Sequence, residues 1–520
     1  MNREKMIQRL KAEKEWDFII VGGGATGLGT ALEAASRGLK TLLVEQFDFG
    51  QGTSSRSTKL IHGGVRYLQQ GNISLVLEAL KERGILRKNA PHLVYDLPFI
   101  VPVYDWWEGP FYGIGLKFYD MLAGKEAFGP SKRLTREETI HCIPTIEQEG
   151  LRGGVIYHDG QFDDARLLIN LAQTAEEQGA CVLNYFKADQ LIKENDLIKG
   201  LEISDTENGE KYHVYAKAII NATGVFSDSI RKMDEPDCKP VISGSQGIHL
   251  VLNARFLRSE TGIMVPHTDD GRVIFAIPWH NRLLVGTTDT AIDSFLIEPV
   301  ALEEEITFLL KHISRYLDKA PKRKDVLSVF AGLRPLVSNV ESESTAAISR
   351  EHSILISRSG LVSIAGGKWT TYRKMAEDTV DQAAIVAQVK PKISKTKQLA
   401  IHGAQARNTQ NHLSKTYGSD DSKIETLLKE NSEYSKKIHP DFPFLIGEII
   451  WAAREEMARK IEDFLSRRTR WLLLDAKVAM EVAPLIAERM ASVLQKDAAW
   501  IEAEIESFRQ LAKNYDLNGN

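Results

Sequence analysis

Cysteines, long apolar runs and an excess of charge of one sign are all scarce in this sequence, and each shortage excludes a class of protein. The 520 residues include three cysteines, Cys142, Cys181 and Cys238, whose wide separation rules out a CxxC metal or redox pair. An odd number of cysteines also cannot pair completely in disulfides. The cysteine content therefore fits a reducing, cytoplasmic compartment.

Apolar runs are too short for a membrane-spanning helix. No window approaches about 18 consecutive apolar residues, so the sequence predicts no spanning segment, while a helix lying in the membrane interface stays open. The first residues, MNREKMIQRLKAEKEWD, are charged and lack the apolar core of a secretory signal. We therefore expect the protein to stay inside the cell.

Charge is nearly balanced, with 66 lysines and arginines against 70 acidic residues and a net charge of −4. This balance gives no sign of a nucleic-acid-binding protein. The histidines have no neighbours that suggest a metal site, and we expect no metal. A chain of this length is too long for one ordinary core and predicts two or three domains.

The segment 17–45, DFIIVGGGATGLGTALEAASRGLKTLLVE, has the pattern of a strand, a glycine turn, a helix and a second strand. Gly22 permits the tight turn, Gly24 lets the backbone approach a pyrophosphate, and Gly27 lets helix and strand pack closely. Glu45 ends the second strand, where an acid can bind a ribose hydroxyl. No second glycine fingerprint follows, which favours a single resident FAD over a nicotinamide cofactor.

The next stretch, QFDFGQGTSSRSTKLIHGGVRYL, is too irregular for a helix and too polar for a core strand, and we expect a loop over the cofactor. Its hydroxyl and glycine residues suit contact with phosphate or with a flat ring. His62, Arg66 and Tyr67 would then face the substrate. The cofactor-binding residues predicted in this stretch are Thr53, Ser54, Ser55, Lys59, His62, Gly63 and Gly64.

Four motifs, VGGGATGLGTALEAASRGL, TSSRSTKLIHGGVRYL, FAGLRPL (330–336) and AGGKWTTYRKMAE (365–377), resemble those of the FAD-dependent glycerol-3-phosphate dehydrogenase family. The C-terminal RKIEDFLSRRTRWLLLDAK (459–477) resembles the helical domain that closes that family. The resemblance implies oxidation of sn-glycerol 3-phosphate to dihydroxyacetone phosphate by hydride transfer to FAD, with membrane quinone as the next acceptor. It also implies peripheral attachment to the inner face of the cell membrane, and we expect a homodimer.

Candidate residues for this chemistry come from several segments. Arginine forks suit phosphate oxygens, so we expect Arg334 and Arg350 to hold substrate, together with Lys368 beside the glycine pair Gly366 and Gly367. Without the resemblance, a surface salt bridge is the favoured explanation for either arginine. Other predicted cofactor contacts are Gly224, Gly366, Gly367, Lys368, Thr370 and Thr371. The two threonines could equally cap the helix that follows.

The base is assigned by resemblance. His249, in SQGIHLVL, matches the histidine that related enzymes place near the substrate, and we expect an imidazole pKa suited to neutral pH. From its apolar surroundings alone, it would be interpreted as a core histidine. His62 is the second candidate base, although it can instead contact the cofactor, and Arg334 is the third residue predicted to take part in catalysis.

Three further glycine-turn or helix-and-strand patterns suggest that the nucleotide domain is discontinuous, with alternating segments such as 271–289 forming an antiparallel sheet between its pieces. We predict an α/β protein with a Rossmann-type FAD-binding domain, an interleaved antiparallel-sheet substrate (cap) domain and a C-terminal all-helical domain. The predicted boundaries are 1–385 for the first two domains, with FAD-binding pieces at about 15–80, 150–245 and 335–385, and 399–520 for the helical domain.

Two surface features have more than one interpretation. The aromatic stretch 105–122, DWWEGPFYGIGLKFYDML, suits a bilayer interface but also suits a domain core or the lining of the cleft. The cluster Arg467, Arg468 and Arg470 could attract anionic lipid, although a solvated helix face paired with Glu462 and Asp463 is the commoner explanation.

Other functions also stay open. A glycerol-3-phosphate oxidase would send the same electrons to oxygen, and an amine or amino-acid oxidase would use the same fold with other substrate contacts. A flavin-containing binding or RNA-modifying protein is disfavoured by the balanced charge and by the lack of a paired cysteine nucleophile.

Overall fold

The structure is a computed structural model that describes residues 1–64, 72–124, 128–337, 352–406 and 411–519. Its strands, in chain order, are β1 Trp16–Val21, β2 Thr41–Glu45, β3 Leu60–Ile61, β4 Val94–Val103, β5 Lys132–Leu134, β6 Gly153–Phe162, β7 Cys181–Asn184, β8 Phe186–Glu194, β9 Leu197–Asp205, β10 Lys211–Asn221, β11 Ile242–Asn253, β12 Gly262–Val265, β13 Ile274–Trp279, β14 Arg282–Gly286, β15 Thr290–Ile292, β16 Val326–Val337, β17 His352–Ile356 and β18 Val362–Gly366.

The α-helices of the described residues, numbered in chain order, are α1 Arg3–Ala12, α2 Ala25–Ser36, α3 Ile73–Asn89, α4 Glu108–Ala123, α5 Arg136–Cys142, α6 Asp164–Glu177, α7 Ser227–Asp234, α8 Glu303–Ile313, α9 Tyr372–Val386, α10 His412–Tyr417, α11 Asp421–Leu428, α12 Ile446–Glu455, α13 Trp471–Leu474, α14 Ala476–Leu494 and α15 Ala498–Lys513. A π-helical turn covers Asp463–Arg468.

The first sheet is mostly parallel and contains the nucleotide fingerprint. Within the described residues its strands run in the order β17-β18-β10-β1-β2-β7, and β8 and β9 extend it from β10. The central strands are nearly continuous apolar runs because helices such as α2 and α9 cover the sheet, and the backbone of Phe18, Ile19 and Ile20 is fully buried. Parallel strands bring all their carboxyl ends to one edge.

The second sheet is mostly antiparallel and holds the alternating segments. Its strands run in the order β15-β11-β14-β13-β12-β4-β6-β3, with β16 paired to β11 and β5 paired to β6. One face packs against α8, where Ile248, Leu250 and Leu252 point into a core that Ile306 and Leu309 complete. The opposite face carries His249 and Val251, because successive side chains of a strand alternate between faces.

These sheets confirm the predicted α/β class with an interleaved antiparallel sheet. Two strands inside the predicted FAD-binding pieces belong to the second sheet, and the first is β3, which lies in the piece at about 15–80 and pairs with β6. The second is β6, which lies inside the piece expected at about 150–245 and pairs along its whole length with β4. The helices from α10 onward form the C-terminal helical region, whose apolar residues share a core with β4 and β13 of the second sheet.

The basic cluster near the C-terminus is neither lipid-facing nor solvated. Arg467, Arg468 and Arg470 are each at most 1% exposed and make buried ion pairs, the first two with Asp48 and the third with Asp163. The sequence pattern suggested a solvated face because it showed only the local acids, whereas Asp48 lies more than 400 residues earlier.

The aromatic stretch forms α4 and the turn before it, and it has a buried side, with Tyr112, Leu116 and Tyr119 in the core, and an exposed side. Trp106 and Ile114 are 77% and 71% exposed, and Phe111, Phe118 and Met121 are also exposed on the same side of the helix. Among the described residues, no helix is both long enough and apolar enough to cross a bilayer.

Candidate active site

A cavity of about 450 Å³ lies at the carboxyl edge of the first sheet. Four adjacent parallel strands end there in the order β2, β1, β10 and β18, and the residues at their ends are Glu45, Gly22, Gly224 and Gly366. Neighbouring strands are about 4.8 Å apart, so these four ends span about 14 Å. The cavity is therefore elongated across the sheet, as a dinucleotide requires.

The glycine turn brings the N-terminus of α2 to the middle of this cavity. A Cβ on Gly27 would lie 1.8 Å from the carbonyl oxygen of Gly22, so only glycine permits the close packing of helix against strand. Ser54 Oγ accepts a hydrogen bond from Ala25 N at 3.0 Å and ties the following loop to the helix. The positive end of the helix dipole thus faces the cavity, where it favours an anion.

Glu45 lies where β2 ends and lines the cavity. Its two carboxylate oxygens accept hydrogen bonds from Gly23 N at 2.6 Å and from Phe47 N at 2.9 Å. Burial raises the pKa of the Glu45 carboxyl, and these two backbone donors act in the opposite direction. Each carboxylate oxygen retains a lone pair, so the side chain can still accept a hydrogen bond from a ribose hydroxyl.

The far end of the cavity is built by the segment after β18. Gly366 and Gly367 have φ of +76° and +81°, which favour glycine, and they turn the backbone so that Lys368 lines the cavity. The Trp369 indole donates to Ser54 O at 2.8 Å and joins this segment to the loop around Ser54. The two walls of the cavity are therefore fixed to each other.

The predicted cofactor residues divide into two groups. Gly22, Gly24, Glu45, Thr53, Ser54, Gly224, Gly366, Gly367 and Lys368 line the cavity. The other predicted cofactor residues do not line the cavity, and they are Gly27, Ser55, Lys59, His62, Gly63, Gly64, Thr370 and Thr371. Gly27 acts in helix packing, and the 3₁₀ turn Trp369–Thr371 leads into α9.

Lys59 has a different partner from the one expected. Its side chain is fully buried, and Nζ donates to Asp164 Oδ2 at 2.7 Å and to Ser55 O at 2.6 Å. Nζ also lies 5.2 Å from the ring centroids of Trp279 and Phe330. The prediction that Lys59 contacts the cofactor directly is therefore replaced by an ion pair that anchors the loop to α6.

The glycines after His62 are held by α4. Gly63 N donates to Tyr119 Oη at 2.8 Å, and a Cβ on Gly63 would lie 2.6 Å from the same oxygen. The His62 ring centroid is 6.4 Å from that of Phe275 in the second sheet. Three predicted substrate residues, Arg66, Tyr67 and Arg350, lie outside the described residues.

His249 is buried on the face of the second sheet that carries Phe330. The two rings stack with centroids 4.9 Å apart, and Nε2 is 2.9 Å from Thr58 Oγ1 of the loop. Nδ1 has no hydrogen-bond partner among the residues that the structure describes. Burial, and then the charges of Lys59 and Arg334, lower the pKa of His249 well below its usual value. These surroundings therefore favour the neutral imidazole at pH 7 in the protein without substrate, with a pKa below the one expected from the sequence.

Arg334 lies on β16 opposite Ser245 of β11, on the same face as His249. Its guanidinium donates to Thr287 Oγ1 at 3.1 Å and to Thr288 O at 2.8 Å, and it pairs with Asp289 at 3.2 Å. About a quarter of the side chain (26%) stays exposed. These acceptors fix the orientation of the guanidinium while leaving part of its surface accessible.

Two glycines that the sequence reading missed make room for these side chains. A Cβ on Gly247 would lie 2.4 Å from Arg334 Nη2, and a Cβ on Gly286 would lie 2.2 Å from His249 Cδ2. The guanidinium therefore lies over Gly247, two residues from His249. Glycines in alternating strands were the available signal, because a strand glycine often marks a close approach.

The cofactor cavity and this second-sheet face adjoin each other. Pro335, next to Arg334, lines the cavity, and Thr53, which also lines it, donates to Leu333 O at 2.6 Å. The residues present fit FAD. Glu45, the N-terminus of α2 and the segment 366–368 follow one another along the cavity. Side chains in place of Gly22 or Gly24 would narrow it. A buried histidine and a fixed arginine then lie beside its far wall.

Comparison with known proteins agrees with this geometry. Residues 17–373 match the family model described as FAD dependent oxidoreductase, and residues 359–501 match the C-terminal domain of alpha-glycerophosphate oxidase. The mitochondrial glycerol-3-phosphate dehydrogenase of Bos taurus is 39% identical over 98% of this chain and 75% of its own length. The chain belongs to the FAD-dependent glycerol-3-phosphate dehydrogenase family.

Two other relatives cover nearly the whole chain. The mitochondrial glycerol-3-phosphate dehydrogenase SDP6 of Arabidopsis thaliana is 39% identical over 100% of this chain and 89% of its own length. The solved glycerol-3-phosphate dehydrogenase of Bacillus halodurans, complexed with FAD, has a TM-score of 0.81 at 29% identity and covers 99% of this chain and 97% of its own. The predictions of family, fold class and FAD are confirmed, and the protein is an FAD-dependent oxidoreductase.

Several cavity-lining residues were missed, some of them inside the quoted motifs. They include Gln46, Phe47, Gln51, Phe186, Ala188, Thr223, Phe226, Trp369 and Met375. Phe186 and Ala188 open a strand whose place beside the cavity depends on its pairing with β9. Trp369 lies inside a quoted motif, and its position directly after Lys368 was the signal available.

Proposed function

We propose that this enzyme oxidises sn-glycerol 3-phosphate to dihydroxyacetone phosphate, with FAD as the first electron acceptor and membrane quinone as the second. The observation that carries the proposal is the position of Arg334, a fixed and partly exposed cation beside the FAD cavity, next to a buried neutral histidine. The names of the relatives support the same substrate.

The chain's cations bind the dianionic phosphate. The Arg334 guanidinium is oriented by Thr287, Thr288 and Asp289 before substrate arrives, so little conformational entropy is lost on binding. Lys368 lines the cavity at the same end and supplies a second positive charge. Arg350, Arg66 and Tyr67 stay predictions as further substrate contacts.

His249 accepts the proton of the C2 hydroxyl. Because its pKa lies well below the usual value, the imidazole is neutral at pH 7 and therefore able to accept a proton. Substrate phosphate beside Arg334 offsets one of the positive charges that lower this pKa, so binding strengthens the base. FAD supplies the acceptor for the hydride that leaves C2.

His62 stays the second candidate base. It belongs to the loop that Tyr119 holds through Gly63, so its ring is positioned from α4. His249 is preferred because its burial excludes water from the hydroxyl proton.

The exposed face of α4 supports contact with the membrane that holds the quinone. Trp106, Phe111, Ile114, Phe118 and Met121 form one apolar side of the helix and the turn before it. Tryptophan and large apolar side chains favour the level of the lipid headgroups. Attachment to the inner face of the cell membrane and a homodimer remain predictions of the resemblance.

The test is anaerobic mixing of the FAD-loaded enzyme with substrates in a stopped-flow spectrometer. We expect sn-glycerol 3-phosphate to bleach the flavin band in a single fast phase, and glycerol or glycine to bleach it far more slowly. An unchanged spectrum with sn-glycerol 3-phosphate would refute the proposed substrate. Faster reduction by an amino acid would favour an amino-acid oxidase instead.

The acceptor needs its own measurement. Enzyme reduced by sn-glycerol 3-phosphate is mixed either with a short-chain quinone or with air-saturated buffer, and flavin reoxidation is followed together with hydrogen peroxide. We expect rapid reoxidation by quinone and little peroxide. Stoichiometric peroxide at a comparable rate would make the enzyme an oxidase.

A further inference from the structure

The segment 46–52, here named the cofactor loop, connects β2 to the residues around Ser54. Gln46, Phe47, Gly50, Gln51 and Gly52 all line the FAD cavity. The backbone of the loop is bonded to the fingerprint, since Gly50 N donates to Gly23 O at 2.9 Å. A displacement of the cofactor loop would therefore move both the cavity wall and the glycine turn.

Asp48 is the charged residue of the cofactor loop, and its partners on the C-terminal side are arginines of the helical region. The carboxylate is 0% exposed, and Oδ2 accepts from Arg467 Nε and from Arg468 Nη1, both at 2.6 Å. Oδ1 accepts from Arg468 Nη2 at 3.1 Å and from Asn184 Nδ2 at 3.2 Å. The loop is thus held by a residue that does not itself line the cavity.

The two arginines are fixed on their own side by the turn that carries them. Arg467 also donates to Glu462 Oε1 at 2.7 Å and to Asp463 Oδ1 at 2.8 Å, and Arg468 donates to Glu456 O at 2.7 Å. Fully buried charges of this kind are costly unless every partner is in place. The network therefore has one well-defined arrangement, with Asp48 at its centre.

The network also acts on Glu45 electrostatically. Burial is the largest influence on the pKa of the Glu45 carboxyl and raises it, the charge of Asp48 raises it further, and the charge of Arg467 lowers it. Glu45 is the acid at the ribose end of the cavity, and Phe47 N of the cofactor loop donates to it at 2.9 Å. The same arginines thus reach the cofactor site by contact and by charge.

We propose that Arg467 and Arg468 are positioning residues for FAD. Through Asp48 they hold the cofactor loop in its FAD-binding shape, so the C-terminal helical region sets the rate at which FAD leaves. This role depends on the identity of the cofactor and is independent of which alcohol the enzyme oxidises.

The test uses the full-length FAD-loaded enzyme with the substitutions Arg468→Met and Asp48→Asn. FAD release is followed by the rise of free-flavin fluorescence after dilution, and the thermal midpoint is recorded for each variant. The matched control is Glu448→Gln. Glu448 is a fully buried carboxylate of the same helical region, bonded to Tyr417 Oη at 2.9 Å and to His412 Nε2 at 3.1 Å. Within the described part of the chain it makes no hydrogen bond or ion pair with the cofactor loop.

We expect Arg468→Met and Asp48→Asn each to release FAD at least about tenfold faster than the unmodified enzyme, a change that corresponds to about 1.4 kcal/mol. The double variant should release FAD little faster than either single variant, because both remove the same contact. The rate of FAD release from Glu448→Gln should stay within about twofold of that of the unmodified enzyme, even if this substitution lowers the thermal midpoint as much as Arg468→Met does.

A conservative variant separates positioning from loss of folding. Arg468→Lys keeps the charge but loses the two-pronged grip on Asp48, and we expect FAD release between that of the unmodified enzyme and that of Arg468→Met. If Arg468→Met does not fold, Arg468→Lys still tests the positioning role. FAD release from Arg468→Lys and Asp48→Asn at the rate of Glu448→Gln would overturn the proposal.

Discussion

His249 shows how the surroundings of one side chain set its chemistry. A ring stacked on Phe330 and close to the charges of Lys59 and Arg334 cannot hold a proton easily, so it is neutral before substrate binds. A neutral imidazole is the form that a general base needs. The same burial keeps bulk water away from the reacting hydroxyl.

The first prediction concerns this pKa. In the FAD-loaded enzyme with labelled histidines, the NMR signal that disappears in His249→Gln should still be mainly in its neutral form at pH 6.5, where an ordinary imidazole is half protonated. The direction follows because burial and two cations disfavour the charged imidazole, so its midpoint falls below about 6.5. A midpoint at or above 6.5 would contradict the described surroundings.

The second prediction concerns the rate. His249→Gln keeps a polar side chain of similar length but removes the proton acceptor, and we expect flavin reduction by sn-glycerol 3-phosphate to slow by about 10²- to 10⁴-fold. FAD content should stay unchanged because His249 does not line the cofactor cavity. A matching loss in His62→Gln but not in His249→Gln would transfer the role of base to His62.

For single residues, the sequence predicted which side chains are important better than it predicted their pKa values and partners. The resemblance selected His249, but its pKa depends on Lys59 and Arg334, whose charges reach the ring only after the loop and β16 have packed against β11. Lys59 itself was expected at the cofactor and instead pairs with Asp164, because α6 brings a buried acid to its side chain.

Among the elements, α4 has two distinct sides. Its outer side carries the exposed Phe111, Ile114 and Phe118, and its inner side carries Tyr119, which is 1% exposed. Tyr119 Oη accepts from Gly63 N at 2.8 Å and donates to Asp159 Oδ2 at 3.0 Å. The helix that faces outward with apolar rings therefore also holds the loop that carries His62.

The third prediction tests the inner side. Tyr119→Phe removes the acceptor of Gly63 N, and losing one such buried hydrogen bond should raise KM for sn-glycerol 3-phosphate or slow flavin reduction by about tenfold. FAD release should not change. The control is Tyr157→Phe, since Tyr157 is equally buried in the adjacent sheet and its hydroxyl instead donates to Met264 Sδ at 3.3 Å. Equal effects of both substitutions would argue against a specific role of Tyr119.

The fourth prediction tests the outer side. The double substitution Phe111→Ser and Ile114→Ser should lower binding to vesicles made of bacterial phospholipids by about tenfold, because it removes two apolar side chains from the lipid boundary. Co-sedimentation measures the bound fraction. Ile393→Ser is the control, since Ile393 is 89% exposed and lies in the linker before the helical region. Vesicle binding that is unchanged in the double variant would exclude α4 as the membrane contact.

The turn Asp463–Arg468 marks the limit of prediction from local pattern. Charges of both signs at helical spacing are typical of a solvated face, and the printed sequence contains nothing near the turn that suggests otherwise. Arg467 does pair with the local acids Glu462 and Asp463. The turn also binds Asp48 in the cofactor loop and Tyr185 after β7, which become its neighbours only through tertiary packing. The helical region itself was predicted because its apolar spacing is local.

For the whole molecule, the FAD cavity combines chain pieces that are far apart in sequence. The strand ends at Glu45, Gly22, Gly224 and Gly366 come from three separate segments of the chain. A glycine turn in each segment predicted its place at the cofactor. The sequence did not predict that Phe186 and Ala188 line the cavity, because apolar residues in a strand give the same pattern whether they face a core or a cofactor. Fold class and cofactor were therefore predictable, whereas the complete lining was not.

The two sheets act together because the residues directly after the cofactor loop are bonded to both. Thr53 reaches the second sheet at Leu333, and Ser54 reaches the first at Ala25. In the proposed reaction, a substrate held by Arg334 on β16 is thereby placed against a cofactor held at the edge of the first sheet. The central claim is that this placement depends on recognition of the phosphate.

The most direct test compares two alcohols in two enzymes. Anaerobic flavin reduction by sn-glycerol 3-phosphate and by glycerol is measured for the unmodified enzyme and for Arg334→Gln. We expect the substitution to slow flavin reduction by sn-glycerol 3-phosphate by about 100-fold, because a charge-assisted contact to the phosphate is lost. The slow reduction by glycerol should stay within about threefold of its rate in the unmodified enzyme. Equal losses with both alcohols, or an unchanged rate with sn-glycerol 3-phosphate, would contradict the account.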